Sequence, residues 1–215
     1  MAEQQEQRTT KIQINELNKF VMFASCPGSE GKLSKLCWCI RDGNPRITVY
    51  TNDPKDTTNY GVISAPMNPE SFFGFLDLFE EIVNGEPDRK QQIESYTSYK
   101  NEAGIMGEKI LMSELWFGKD SNKIIWMALV APNRPKIKFE FKVSDYHKIF
   151  HSDGSPFSEA DGSYFQFKAV LRFLRSIYPQ LCSGFRQPFN KGFNQQQQKP
   201  SSPLTEIPFE DDLPF

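Results

Sequence analysis

Asn68-Pro69-Glu70-Ser71-Phe72-Phe73-Gly74-Phe75-Leu76-Asp77-Leu78-Phe79-Glu80-Glu81-Ile82-Val83-Asn84-Gly85 changes the apolar period of the chain from two to about 3.6. Phe72, Phe75, Leu76, Phe79, Ile82 and Val83 fall on one helical face. Asn68 suits the N-cap, Pro69 the first turn, and Gly85 the position just past the C-terminus. The opposite face carries Glu70, Asp77, Glu80 and Glu81, so this helix is expected to pack behind a sheet and away from any polyanion.

Upstream, the pattern is that of strands. Lys11 to Leu17 alternates Ile12 and Ile14 with polar neighbours; after the loop PGSEGK, Leu33 to Arg41 and Arg46 to Thr51 flank Asp42-Gly43-Asn44-Pro45 as a hairpin. Ile47 and Val49 point one way, and Arg46, Thr48 and Tyr50 the other. Tyr60 to Ser64 forms a further short run. Downstream, Gln91 to Lys100, Glu108 to Phe117, Lys123 to Ala131 and Lys136 to Val143 follow one another through the short turns NEAG, GKDSN and PNRP, which predicts an antiparallel meander. Tyr164 to Tyr178 returns to helical spacing through Phe167, Val170, Leu171, Leu174 and Ile177, with Pro179 as the expected stop.

This order predicts an α+β fold of antiparallel strands with two helices. One arrangement is two four-strand-plus-helix units. The other is an oligonucleotide-binding barrel built from roughly the first 120 residues, with added strands and a C-terminal helix. The element order over roughly residues 10 to 180 resembles the Whirly and transcriptional-coactivator families of single-strand binders, whose units place four antiparallel strands before one helix. The resemblance implies the duplicated plan.

The net charge of −2 conceals an asymmetry. Residues 206–215 hold Glu206, Glu210, Asp211 and Asp212 and no base, so without those four charges the rest of the chain stands at +2. The four cysteines, Cys26, Cys37, Cys39 and Cys182, lack metal-ligand spacing and read as reduced thiols. The polar start lacks the apolar core of a signal peptide, and no stretch reaches the ~20 apolar residues of a membrane span, so a cytoplasmic protein is expected.

Beyond Cys182 the composition turns to Gln, Asn, Ser, Pro and Gly, so the chain divides into a globular domain over 1–182, a flexible linker over 183–205 and an acidic tip over 206–215. Phe185, Phe189 and Phe193 lie spaced along the linker among Arg186 and Lys191. The tip ends Ile207-Pro208-Phe209-Glu210-Asp211-Asp212-Leu213-Pro214-Phe215. Acids before an aliphatic residue, Pro and a terminal Phe, placed after a Gln-rich linker, resemble the tip of bacterial and phage single-stranded DNA-binding proteins. The resemblance implies that Asp211, Asp212, Leu213, Pro214 and Phe215 bind replication, recombination and repair proteins in a bacterial or phage-infected cell. A terminal ring can enter a partner's apolar pocket while the acids steer toward its basic rim.

Sequence-independent binding of single-stranded DNA needs cations for phosphates and aromatic faces for bases. Lys136, Lys138 and Lys142 share a strand face opposite Ile137, Phe139, Phe141 and Val143. Lys35 and Arg41 share a face of one hairpin strand, and Arg46 and Tyr50 a face of the other. Tyr50, Tyr96, Trp116 and Trp126 are the candidate stacking rings, whereas Trp38 shares its face with Leu36 and Ile40. With a body so mildly basic, assembly into homo-oligomers or cooperatively along DNA is expected to contribute. An annealing or recombination-mediator protein is the alternative.

Catalytic signatures are lacking. His147 and His151, the only histidines, read as helix-surface residues, and there is no phosphate loop, nucleophile elbow or H-E-x-x-H. A metal-dependent nuclease using Glu94, Glu108 or Glu140 is a remote alternative. No enzyme activity, cofactor or metal is expected.

Overall fold

The computed structural model describes residues 21–27, 29–41, 43–100 and 104–183. The strand expected at Lys11 to Leu17, the linker beyond 183 and the tip lie outside them. The chain folds as β1 (Met22–Ser25), β2 (Leu33–Arg41), β3 (Asn44–Tyr50), β4 (Val62–Pro66), α1 (Pro69–Asn84), β5 (Arg89–Thr97), β6 (Ile110–Lys119), β7 (Ile125–Val130), β8 (Lys138–Glu140) and α2 (Glu159–Ser183). Two antiparallel four-strand sheets, β1-β2-β3-β4 and β5-β6-β7-β8, are each followed by a helix. The two-unit plan holds, and among the described residues no barrel closes.

The local signals that frame α1 have structural counterparts. The Asn68 side chain accepts from the Ser71 N–H at 2.8 Å, satisfying an open donor at the start of α1. At the other end Lys119 Nζ donates to the carbonyls of Val83 (2.8 Å) and Gly85, placing a cation on the negative end of the helix. The six apolar residues of α1 are buried, and Phe75 and Phe79 meet Phe117 of the second sheet at 4.9 and 5.0 Å between ring centroids. Helix α2 is preceded by Ser158, whose hydroxyl accepts from the Asp161 N–H while the Asp161 carboxylate accepts from the Ser158 N–H, a reciprocal cap. Both helices lie over the inner faces of the sheets in one core. Their facing charges pair: Lys168 and Arg175 donate to Glu80, and Arg175 also to Asp77, so α2 neutralises part of the acidic face of α1.

Three expectations need correction. Helix α2 does not stop at Pro179 but runs through it to Ser183. The lost backbone bond is outweighed by burial of Tyr178, which stacks on Phe72 at 4.6 Å, with Leu181 and Cys182 packed against the core. His147 and His151 lie in the irregular connection between β8 and α2, not on a helix; His151 Nε2 is 3.4 Å from Asp161. Strand β8 covers only Lys138–Glu140, although Ile137 and Phe141 on either side of it remain buried.

The sheets are joined by a buried ion pair. Arg134, between β7 and β8, donates from Nε and Nη2 to Asp56 at 3.0 and 2.6 Å and from Nη1 to the Val62 carbonyl at 2.7 Å. Thr51 Oγ1 donates to Asp56 at 2.7 Å, and both charged side chains are at most 7% exposed. Among the described residues no helix is long and apolar enough to cross a membrane.

Candidate nucleic-acid interface

The faces turned away from the helices carry the candidate residues. On the first sheet, register places Lys35 opposite Tyr50 and Cys39 opposite Arg46, with Arg41 opposite Asn44 at the hairpin end. Lys35, Tyr50, Arg46 and Arg41 therefore share one outer face. Phe23 of β1 and Val62 of β4 extend the Lys35–Tyr50 row. Between the two cationic ends lies a band of small residues, Cys37, Thr48 and Ser64, in which Thr48 and Ser64 hydroxyls meet at 3.4 Å. Lys35 and Arg41 are six strand positions apart, about 20 Å, room for a few nucleotides. Lys35 Nζ sits 5.8 Å from the Tyr50 ring centroid. Burial pushes the Cys37 and Cys39 thiols up, so they stay neutral here.

The second sheet repeats the theme more densely. Across its outer face run the rows Lys90–Gly118–Trp126–Glu140 and Gln92–Trp116–Ala128–Lys138. The two indoles stand on one diagonal of a checkerboard, with the small residues Gly118 and Ala128 on the other. Each indole carries a cation: Lys90 Nζ is 5.8 Å from the Trp116 centroid, and Lys138 Nζ is 5.6 Å from that of Trp126. A Cβ at Gly118 would lie 2.3 Å from the Arg89 carbonyl oxygen, so close packing of β5 on β6 demands glycine there. Trp116 Nε1 donates to Glu114 at 2.8 Å and the Tyr96 hydroxyl donates to Glu94, fixing both rings. Trp38 is buried in the core.

The two outer faces meet where edge strand β1 approaches edge strand β8. A groove of about 470 Å³ runs there, lined by Phe23, Leu33, Lys136, Lys138, Glu140 and Lys142 among others. The face that carries Lys136, Lys138 and Lys142 also contains an acid: Glu140 has the same strand parity as its neighbours and binds Lys138 at 3.1 Å and Lys142 at 2.8 Å, while Lys138 also reaches Asp120 at 2.9 Å. Lys142, then Lys138, hold the Glu140 carboxyl below the usual range against the effect of burial, so it is ionised at neutral pH. These lysines are part-neutralised before any ligand arrives. Glu140→Gln is expected to raise affinity for single-stranded DNA about three- to ten-fold at low salt and to steepen the log K against log salt slope by about 0.7 for each further phosphate that the freed lysines engage; filter binding across salt concentrations measures both.

Sequence reasoning missed Lys90, Phe23 and Leu33. Lys90 was signalled by its shared parity with Gln92 and Tyr96; Phe23 and Leu33 join the site only through the approach of β1 to β8. The carboxylates of a nuclease are not brought together. Glu94 and Glu140 stand on opposite edge strands of one sheet, about 14 Å apart across it and a further four residues, about 13 Å, apart along it, and Glu108 precedes β6. Among the described residues no cluster of three potential metal ligands occurs. No family model, no curated protein and no solved structure matches the chain.

Proposed function

We propose that this chain binds single-stranded DNA without sequence selection, protects it during replication, recombination and repair, and recruits partner proteins through Asp211, Asp212, Leu213, Pro214 and Phe215. The observation that carries the reading is the pair of lysine-capped indoles, Trp116–Lys90 and Trp126–Lys138, on a face that continues through the cation-lined groove to Lys35 and Tyr50. A base that displaces each lysine from its indole takes the stacking face, and the released ammonium is free for the adjacent phosphate. Duplex bases are already stacked and cannot reach rings lying flush on a sheet. The setting that fits is the cytoplasm of a bacterial or phage-infected cell.

Fluorescence titration with oligo-dT and with duplex DNA across salt concentrations tests this. Of the three Trp residues, Trp38 is sequestered, so quenching should saturate at the share contributed by Trp116 and Trp126. Tight single-strand binding with a log K slope of about −0.7 per phosphate neutralised is expected; equal binding to duplex, or none, defeats the proposal. Deleting Glu210 to Phe215 should leave DNA affinity unchanged or raised while abolishing capture of partner proteins in pull-downs. Loss of DNA binding on that truncation would refute the division of labour between body and tip.

A further inference from the structure

The second sheet ends in β5, whose outer edge pairs with no other strand among the described residues. Seven of its residues, Arg89–Ser95, pair regularly with β6, and the register breaks between Ser95 and Tyr96. Those seven are symmetric about Gln92, and their outer-face side chains read Lys90, Gln92, Glu94. Charges on an edge strand ordinarily discourage pairing. Here the sign alternates about the centre, so an identical strand laid antiparallel across a two-fold axis sets each Lys90 opposite Glu94 of the second copy and Gln92 opposite itself. Opposite charges directly across a strand pair stabilise it, and like charges oppose it.

We propose that the β5 edge is a self-complementary docking surface for a second copy of this chain, paired antiparallel about a two-fold axis at Gln92. The contact is isologous and closes as a dimer. It joins the two second sheets into one eight-stranded sheet with four indoles on a common outer face. Tyr99, Met106 and Ile110, in the hairpin that follows the paired segment, are each more than half exposed. The inference goes beyond the DNA-binding reading and is tested without DNA.

Sedimentation equilibrium of the full chain over a dilution series reads the dimer directly. Lys90→Glu, which opposes two pairs of acids across the axis, is expected to raise the dimer dissociation constant about ten-fold or more. The charge swap Lys90→Glu with Glu94→Lys is expected to restore it, which unfolding of the variant could not do. Under mild oxidation Gln92→Cys is expected to cross-link two copies through position 92, whereas Lys90→Cys, facing position 94, does not link to itself. A chain that stays monomeric at every concentration overturns the proposal. So does a dimer indifferent to Lys90→Glu, a loss the swap does not restore, or a dimer that fails to cross-link through position 92.

Discussion

Replacing Trp116 and Trp126 together by Ala is expected to weaken binding of oligo-dT by about 2–6 kcal/mol, from some thirty-fold to beyond ten-thousand-fold, since each base stacked on an aromatic ring contributes about 1–3 kcal/mol. The loss should exceed that from removing the two lysines above the rings, because a phosphate contact is screened by salt and a stack is not. Raising the salt should therefore narrow the gap between the native chain and a Lys90→Ala, Lys138→Ala variant while leaving the Trp effect in place. Both indoles are half-buried on the sheet surface, so Trp116→Phe with Trp126→Phe is the matching control. It should keep most of the affinity. If the Ala variant binds oligo-dT like the native chain, the second sheet is not the binding face.

The second large effect falls on stability. Arg134→Met leaves the Asp56 carboxylate buried and without its bidentate partner, at an expected cost of about 3–5 kcal/mol, a substantial fraction of the ~5–15 kcal/mol typical of a folded domain. Thermal denaturation should register a fall in Tm on the order of 10 °C. The pH dependence carries the sign. Arg134, helped by Thr51 and opposed by burial, holds the Asp56 carboxyl below its usual range. Its pKa is therefore lower folded than unfolded, so its contribution is complete above the unfolded value of about 3.9 and fades as pH falls through the folded one. In the variant the lowering partner is gone and burial favours the neutral acid, so acidification relieves the penalty. The stability difference between native and variant should be largest near neutrality and shrink as pH falls from the variant's raised Asp56 pKa through the native chain's lowered one. A difference that is flat with pH would show that Arg134 acts through packing instead.

Helix α1 was legible because everything that makes it is local: six apolar residues at helical spacing, a capping Asn and a Pro in the first turn. The β2–β3 hairpin was legible for the same reason, through strict alternation around a Gly-containing turn. Strand β1 was not, since Met22–Ser25 has no period of its own and becomes a strand only by pairing with Leu33–Leu36. Pro179 misled because burial of Tyr178, a long-range effect, overrides a local stop signal. In the candidate site, alternation alone assigned Tyr50, Trp116, Trp126 and Lys138 to strand faces. That those faces adjoin along β1 and β8, and that Glu140 neutralises its lysine neighbours, depends on tertiary distances that no spacing encodes.

The stacking of Tyr178 on Phe72, with the Tyr178 hydroxyl donating to the Cys39 carbonyl at 3.3 Å, fastens the last helix to the first sheet across 139 residues. The repeat of strands and helix is thus a repeat of pattern only, and the halves are not separable bodies. During synthesis, Phe72 waits for its cover, Tyr178, which leaves the ribosome only after some hundred further residues. For the same reason, a protease nick in the β5–β6 hairpin should leave two fragments that stay associated, since neither retains a complete interior without the other.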